Sequence, residues 1–232
     1  MPHHLRPSTS YAEDALLPGD PGRALALAQQ LLTEPRMSNH ARGLWGYTGT
    51  TPAGRALSIQ STGIGGPSAA IVVHELAELG VRRAIRVGTC GALTERLKQG
   101  DVVVATEALA EDGTSRTLGA DETARPDSRL TASLASAVGA ETAPGRIVSA
   151  DLFYSSDTDG NDADPWRSQG AVAVEMAAAT LFTLGSRIGL ATACVLAVSD
   201  TFERGARYRI GDEELGAAIE RIGAAAAAAL AE

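Results

Sequence analysis

Three stretches of the chain stay apolar without alternating: RRAIRVGTCGAL at residues 82–93, GDVVVATEAL at residues 100–109 and LATACVLAVSD at residues 190–200. Such runs predict strands buried on both faces, because a half-solvated strand would alternate apolar with polar residues. GRIVSADLF and the start of VAVEMAAATLF, residues 172–182, continue the pattern. Helical spacing fills the gaps. A short strand and a Pro/Gly turn lead into a helix from about Pro21, and GGPSAAIVVHELAELG is a helix opened by Gly and Pro and closed by Gly80. LTASLASAVGA is another, and the tail from Asp212 is the last. GLWGYTGT and RALSIQSTG predict a hairpin around the turn TPAG. AEDGTSRTLGADETARPDS reads as a polar loop or flap, and DTDGNDADP as a surface turn with a short helix. Strands alternating with helices predict an α/β sheet covered on both faces, and no repeat or linker divides residues 1–232 into more than one domain.

Composition narrows what such a domain does. The 232 residues carry a formal net charge of −8 and no basic block, which speaks against a nucleic-acid partner. No apolar run is long enough to span a membrane, and MPHHLRPSTSY lacks the charged-then-apolar pattern of a signal peptide. The two cysteines, Cys90 and Cys194, stand in strand-like apolar runs and read as buried thiols of a reducing cytoplasm. Neither a CxxC nor a His/Cys cluster points to a metal.

Ligands of covered α/β sheets collect in the turns after the strands. In PGDPGR, Gly19 opens the backbone, Asp20 caps the helix and Arg23 sits in the first turn, where a bound anion would offset its mismatch with the positive helix end. An ordinary capped turn with a surface Arg reads the same way. In RVGTCGA, Arg86 lies inside an apolar strand next to Thr89 and open glycine backbone. That pair would clamp a phosphate; the alternative is an arginine paired to a structural carboxylate. Ser199 and Asp200 end a buried strand, where Asp200 is either a general acid or the cap of the next segment. Glu175, between a buried strand and a buried helix, is costly there unless something pairs with it. Two arginines at an oxyanion site with carboxylates nearby fit phosphoryl or glycosyl chemistry.

LLPGDPGRA, RGLWGYTG, TGIGGPSAAIVVHEL, RVGTCGAL, SADLFY, VEMAAATLF and AVSD follow one another over nearly the whole chain. In that order they resemble the nucleoside phosphorylase family, closest to the bacterial hexameric purine nucleoside phosphorylases. The resemblance implies a three-layer α/β/α sandwich around a central mixed, twisted sheet. It implies that a purine nucleoside and inorganic phosphate give the free base and a pentose 1-phosphate, with no metal or organic cofactor. It assigns Gly19, Arg23, Arg86 and Thr89 to the phosphate, with Arg42 contributed by a neighbouring subunit. His4, or His3 on ungapped spacing, is lent across the same interface, which implies a homohexamer built as a trimer of dimers. Phe153 is matched to the base, Val174, Glu175 and Met176 to the sugar-and-base wall beside Ser199, and Asp200 to the acid that protonates purine N7. Asp at position 200 implies acceptance of 6-amino purines.

The chain departs from the family at one junction. Where relatives read E-M-E, this chain reads EMA, so Ala177 replaces the carboxylate expected to hold the ribose hydroxyls. Weak action on ribosides, a sugar lacking those hydroxyls, a substitute group and a non-catalytic nucleoside-binding paralogue are the alternatives that change leaves open. Uridine phosphorylase is the alternative within the enzyme class. For the arginine that assists Asp200 in relatives the chain offers Arg204, Arg207 and Arg209, in a segment that does not align with theirs and singles out none of the three.

Overall fold

The apolar runs become strands of one mixed sheet in the computed structural model, which describes residues 2–154, 163–203 and 206–231. The first half of the chain builds β1 (Asp14–Leu17), α1 (Pro21–Leu31), β2 (Thr33–Asn39), β3 (Gly46–Thr50), β4 (Ala56–Gln60), α2 (Gly65–Glu78) and β5 (Arg83–Ala92). β6 (Val102–Glu111), α3 (Gly113–Thr117), β7 (Thr123–Ala124), α4 (Ser128–Val138) and β8 (Thr142–Ala150) come next. The chain ends with α5 (Asp164–Ser168), β9 (Ala171–Glu175), α6 (Ala178–Ile188), β10 (Ala191–Glu203), β11 (Ala206–Arg209) and α7 (Asp212–Ala229).

β10 shows why its sequence never alternates. Cys194, Leu196 and Val198 pack on one side of the sheet against Val72, Val73 and Leu76 of α2 and Leu181 and Phe182 of α6. Ala193, Val195 and Ala197 pack on the other side with Leu27 of α1, Leu134 of α4 and Ile219 and Ile222 of α7. Both faces are therefore covered by helices, the expected three-layer arrangement. The sheet also curls. β10 pairs in parallel with β5 and antiparallel with β6, while β6–β8, β8–β9 and β9–β5 pairings complete a ring of five strands. β1 and β4 extend the sheet from β5 in parallel, and β3 and β2 finish it antiparallel.

Three elements differ from the sequence reading. β2 is an edge strand with exposed polar residues and a proline, so it lacks the apolar signature of a strand. β11, rich in arginine and exposed, is a strand because β10 runs on past Asp200 and pairs with it from Asp200↔Arg209 to Glu203↔Ala206. The polar flap holds α3 instead. Its N-cap Asp112 is fully buried, accepts from the Ser115 N–H at 2.7 Å and takes the Thr180 hydroxyl of α6 at 2.8 Å.

Candidate active site

The strand ends face a cleft of about 1380 Å³, above the ~300–1,000 Å³ usual for small-ligand sites. Gly19, Arg23, Arg86, Thr89, Phe153, Val174, Glu175, Met176, Ser199 and Asp200 all line it. A smaller hollow of about 330 Å³ beside Arg96 and Asp101 is lined by none of these residues.

Part of the cleft is cationic. Asp20 caps α1 by accepting the Arg23 N–H at 2.9 Å. The Arg23 guanidinium reaches back over the cleft, with Nη1 3.5 Å from the Thr89 hydroxyl. Burial holds the Arg23 pKa below its usual value; Asp20 opposes this, and the nearby charges of Arg209 and Arg86 add to it. Gly19 is laced to the loop after β4: the Thr62 and Gly63 N–H groups donate to the Pro18 and Gly19 carbonyls at 2.9 and 3.0 Å. A Cβ at Gly19 would lie 3.3 Å from the Gly63 carbonyl oxygen, so the close approach of the two loops favours glycine. Arg86 donates from Nε to Glu175 at 2.9 Å, and its guanidinium lies over Gly88, where a Cβ would meet Cζ and Nη2 at 3.2 Å. Arg23 and Arg86 thus stand by a hydroxyl and open backbone, a setting for an oxyanion.

β10 brings the acid into the same cleft. The β10–β5 register slips between Val198↔Cys90 and Asp200↔Gly91, so Ser199 is an extra residue. This bulge lets adjacent residues Ser199 and Asp200 both line the cleft, which strict alternation would forbid. Asp200 is 3% exposed; Oδ2 is 2.6 Å from the Ser199 hydroxyl, and buried Oδ1 has no hydrogen-bond partner among the described residues. Ser199 Oγ also lies 3.2 Å from the Cys90 carbonyl. Its one hydrogen therefore serves Oδ2 when Asp200 is ionised, or the carbonyl when Asp200 carries a proton. Arg207 Nε and Arg209 Nη1 stand 3.8 and 3.7 Å from the carboxylate, near enough to balance its charge but beyond hydrogen-bond range. Arg204 falls outside the described residues. Burial, followed by the charges of Glu175 and Asp200, pushes the Cys90 thiol well up, so it stays protonated as expected for a buried thiol.

Aromatic and apolar groups rim the mouth. Arg207 lies 4.2 Å over the Phe153 ring and 5.3 Å from that of Phe202. Ile64, between two glycines, is 80% exposed at the same rim.

A family profile described as the phosphorylase superfamily matches residues 13–232. The chain belongs to the phosphorylase superfamily. It is 37% identical over 200 residues to a protein named purine nucleoside phosphorylase DeoD-type from Clostridium novyi (strain NT), covering 84% of both chains. It is 38% identical over 208 residues to a protein of the same name from Geobacillus kaustophilus (strain HTA426), covering 86% of both. The purine nucleoside phosphorylase DeoD-type 2 of Aliivibrio fischeri (strain ATCC 700601 / ES114) is 35% identical over 222 residues, 92% of both.

Within this superfamily member, two expected site positions stand away from the cleft. Arg42 is exposed in a tight turn, with its backbone in the left-handed region at φ 59°, uncommon for a residue with a side chain. His4 is held by Glu75 of α2, which lies 2.7 Å from its Nδ1 and accepts the N–H groups of His3, His4 and Leu5 at 2.6–3.1 Å. His3 is exposed. Ala177 is 1% exposed, at the start of α6. The sequence reading missed the loop of Gly63, Ile64 and Gly65 as cleft wall; its signal was the glycine pair in TGIGG directly after a strand. Among the described residues no group of His, Cys, Asp or Glu clusters as metal ligands would, and no helix is long and apolar enough to cross a membrane.

Proposed function

We propose that this chain cleaves the N-glycosidic bond of purine nucleosides with inorganic phosphate, giving the free base and a pentose 1-phosphate. The names of its relatives support the substrate class. The observation that carries the reading is one cleft lined both by an arginine cluster and by a buried carboxylate with one oxygen free of hydrogen bonds among the described residues.

Arg23, Arg86, Thr89 and the backbone at Gly19 hold the phosphate dianion beneath the sugar. As the bond from the anomeric carbon to the base breaks, its electron pair goes to the base and positive charge grows on the sugar, as in glycoside hydrolysis. The phosphate stabilises that charge and supplies the oxygen that bonds to the anomeric carbon. Asp200 delivers its proton to purine N7, so the base leaves neutral. Ser199 follows the change by turning its hydrogen from the Cys90 carbonyl to Oδ2. Phe153 and Met176 shape the base and sugar wall, and Arg207 and Arg209 offset the carboxylate left behind. The reaction so written takes phosphate as co-substrate and calls on no other cofactor.

Arg42 and His4 stand away from their own cleft and serve that of a neighbouring subunit, which makes a dimer the smallest active unit and a hexamer of three dimers the working assembly. Two buried, unpaired cysteines fit a cytoplasmic enzyme.

The test is release of base from inosine, adenosine, guanosine, their 2′-deoxy forms and uridine, each with and without phosphate. Phosphate-dependent release of purines is expected. Uridine cleaved faster than inosine, or cleavage without phosphate, would overturn the reading.

A further inference from the structure

Glu175 is 4% exposed, and its hydrogen-bonding capacity is spent within the protein. Oε1 accepts the Ser149 hydroxyl and the N–H groups of Ala177 and Ala178 at 3.0 and 2.9 Å. Oε2 accepts Arg86 Nε–H at 2.9 Å and shares the Ala177 N–H at 2.9 Å. The donors at Ala177 and Ala178 are orphan N–H groups at the start of α6, whose N-cap has no side-chain bond of its own. Ser149 closes the set by accepting the Ala179 N–H at 2.9 Å. No lone pair remains for a sugar hydroxyl. Arg86, in contrast, spends only Nε; its two terminal nitrogens form no hydrogen bond with the described residues and lie where the guanidinium crosses Gly88 at the cleft.

We infer that Glu175 is a positioning residue for Arg86: anchored by Ser149 and the first N–H groups of α6, it fixes Nε so that both terminal nitrogens of the guanidinium face the oxyanion. The inference rests on the reading that Arg86 holds phosphate. It moves Glu175 from the sugar wall, where the resemblance put it, to the support of the anion site. An arginine held at Nε presents its remaining fork in one orientation, the geometry that bidentate recognition of a phosphate needs.

Electrostatics makes the test sharp. Neutralising a carboxylate beside an anion site strengthens anion binding by Coulomb's law alone. If Glu175 works by geometry, Glu175→Gln does the reverse. The KM for phosphate then rises about tenfold, the scale of one hydrogen bond to a charged group, while the KM for the nucleoside stays within about twofold. Protection of the protein by phosphate against thermal unfolding, read without turnover, weakens in parallel. In an Arg86→Ala background, Glu175→Gln changes the phosphate KM no further. Should Glu175→Gln fail to fold, Ser149→Ala keeps the Arg86 pair but loosens its anchor, and a smaller rise confined to phosphate is expected. An unchanged or lowered phosphate KM in Glu175→Gln, or in Ser149→Ala where that variant stands in, or an equal rise for the nucleoside, overturns the inference. If Arg86→Ala leaves phosphate dependence unmoved, the phosphate reading of Arg86 has failed instead.

Discussion

Glu75 and Asp200 are buried to similar extents, 6% and 3% exposed, in different parts of the molecule. Glu75, on α2, gathers three backbone N–H groups and the His4 ring, and so pins the N-terminal residues to the helical layer. Burial raises its pKa, but the hydrogen bonds from Leu5, His4 and His3 outweigh that and hold it down at about 2. Asp200 takes one hydroxyl and keeps an oxygen with no hydrogen bond among the described residues, while two arginines stand back at 3.7–3.8 Å. Burial therefore does not separate scaffold from chemistry here. Unspent hydrogen-bond capacity does: a carboxylate saturated by N–H donors is locked as an anion, whereas one balanced by charge at a distance has an oxygen to offer a proton.

The largest expected effect lies on the Asp200 side. Asp200→Ala should lower turnover on purine nucleosides by about 10²–10⁴-fold, the usual contribution of a general acid, with phosphate binding retained. Single-turnover kinetics with a phosphate titration checks it; normal turnover would erase the distinction between the two carboxylates. On the other side, Glu75→Gln should cost about 2 kcal/mol of stability at neutral pH, from weakened charge-assisted bonds. The sign comes from linkage. The folded carboxyl titrates at about 2, below the ordinary 4.5, so its stabilisation is complete above 4.5 and fades as pH falls toward 2. Wild type and variant should therefore converge in melting temperature on acidification; a constant gap would mean the carboxylate charge is not what matters. Ala177→Glu, the smallest change, places a carboxylate at the favourable start of α6 beside the saturated Glu175. It should raise the preference for ribosides over 2′-deoxyribosides about tenfold, one charged hydrogen bond's worth, in paired kcat/KM values. An unchanged ratio would mean that position 177 does not reach the sugar.

Legibility in the sequence depended on which interactions are local. β5 and β10 were legible because two-sided burial writes an unbroken apolar run. The turn at Asp20 was legible because cap, glycine and Arg23 are neighbours in the chain. Glu175 was legible as an acid needing a partner, but not its partner: Arg86 comes from another strand, brought alongside by the pairing Gly91↔Val174. Asp112 and Ser115 looked solvated because their polarity is satisfied by each other and by Thr180, far along the chain. The bulge at Ser199 left no composition signal, since it exists only in the register between two strands.

The five-strand ring also draws the cleft from strands far apart in the chain. β1 and β5, carrying or adjoining Gly19, Arg23, Arg86 and Thr89, pair early in the chain, whereas β10 joins β5 only through the distant register Arg83↔Ala191. Non-local closure of this kind is the slow, entropically expensive part of assembly. A growing chain therefore makes the strands that carry the arginines before the strand that carries the proton donor. The seam between β10 and β5 is the one that joins a phosphate cradle to a proton donor.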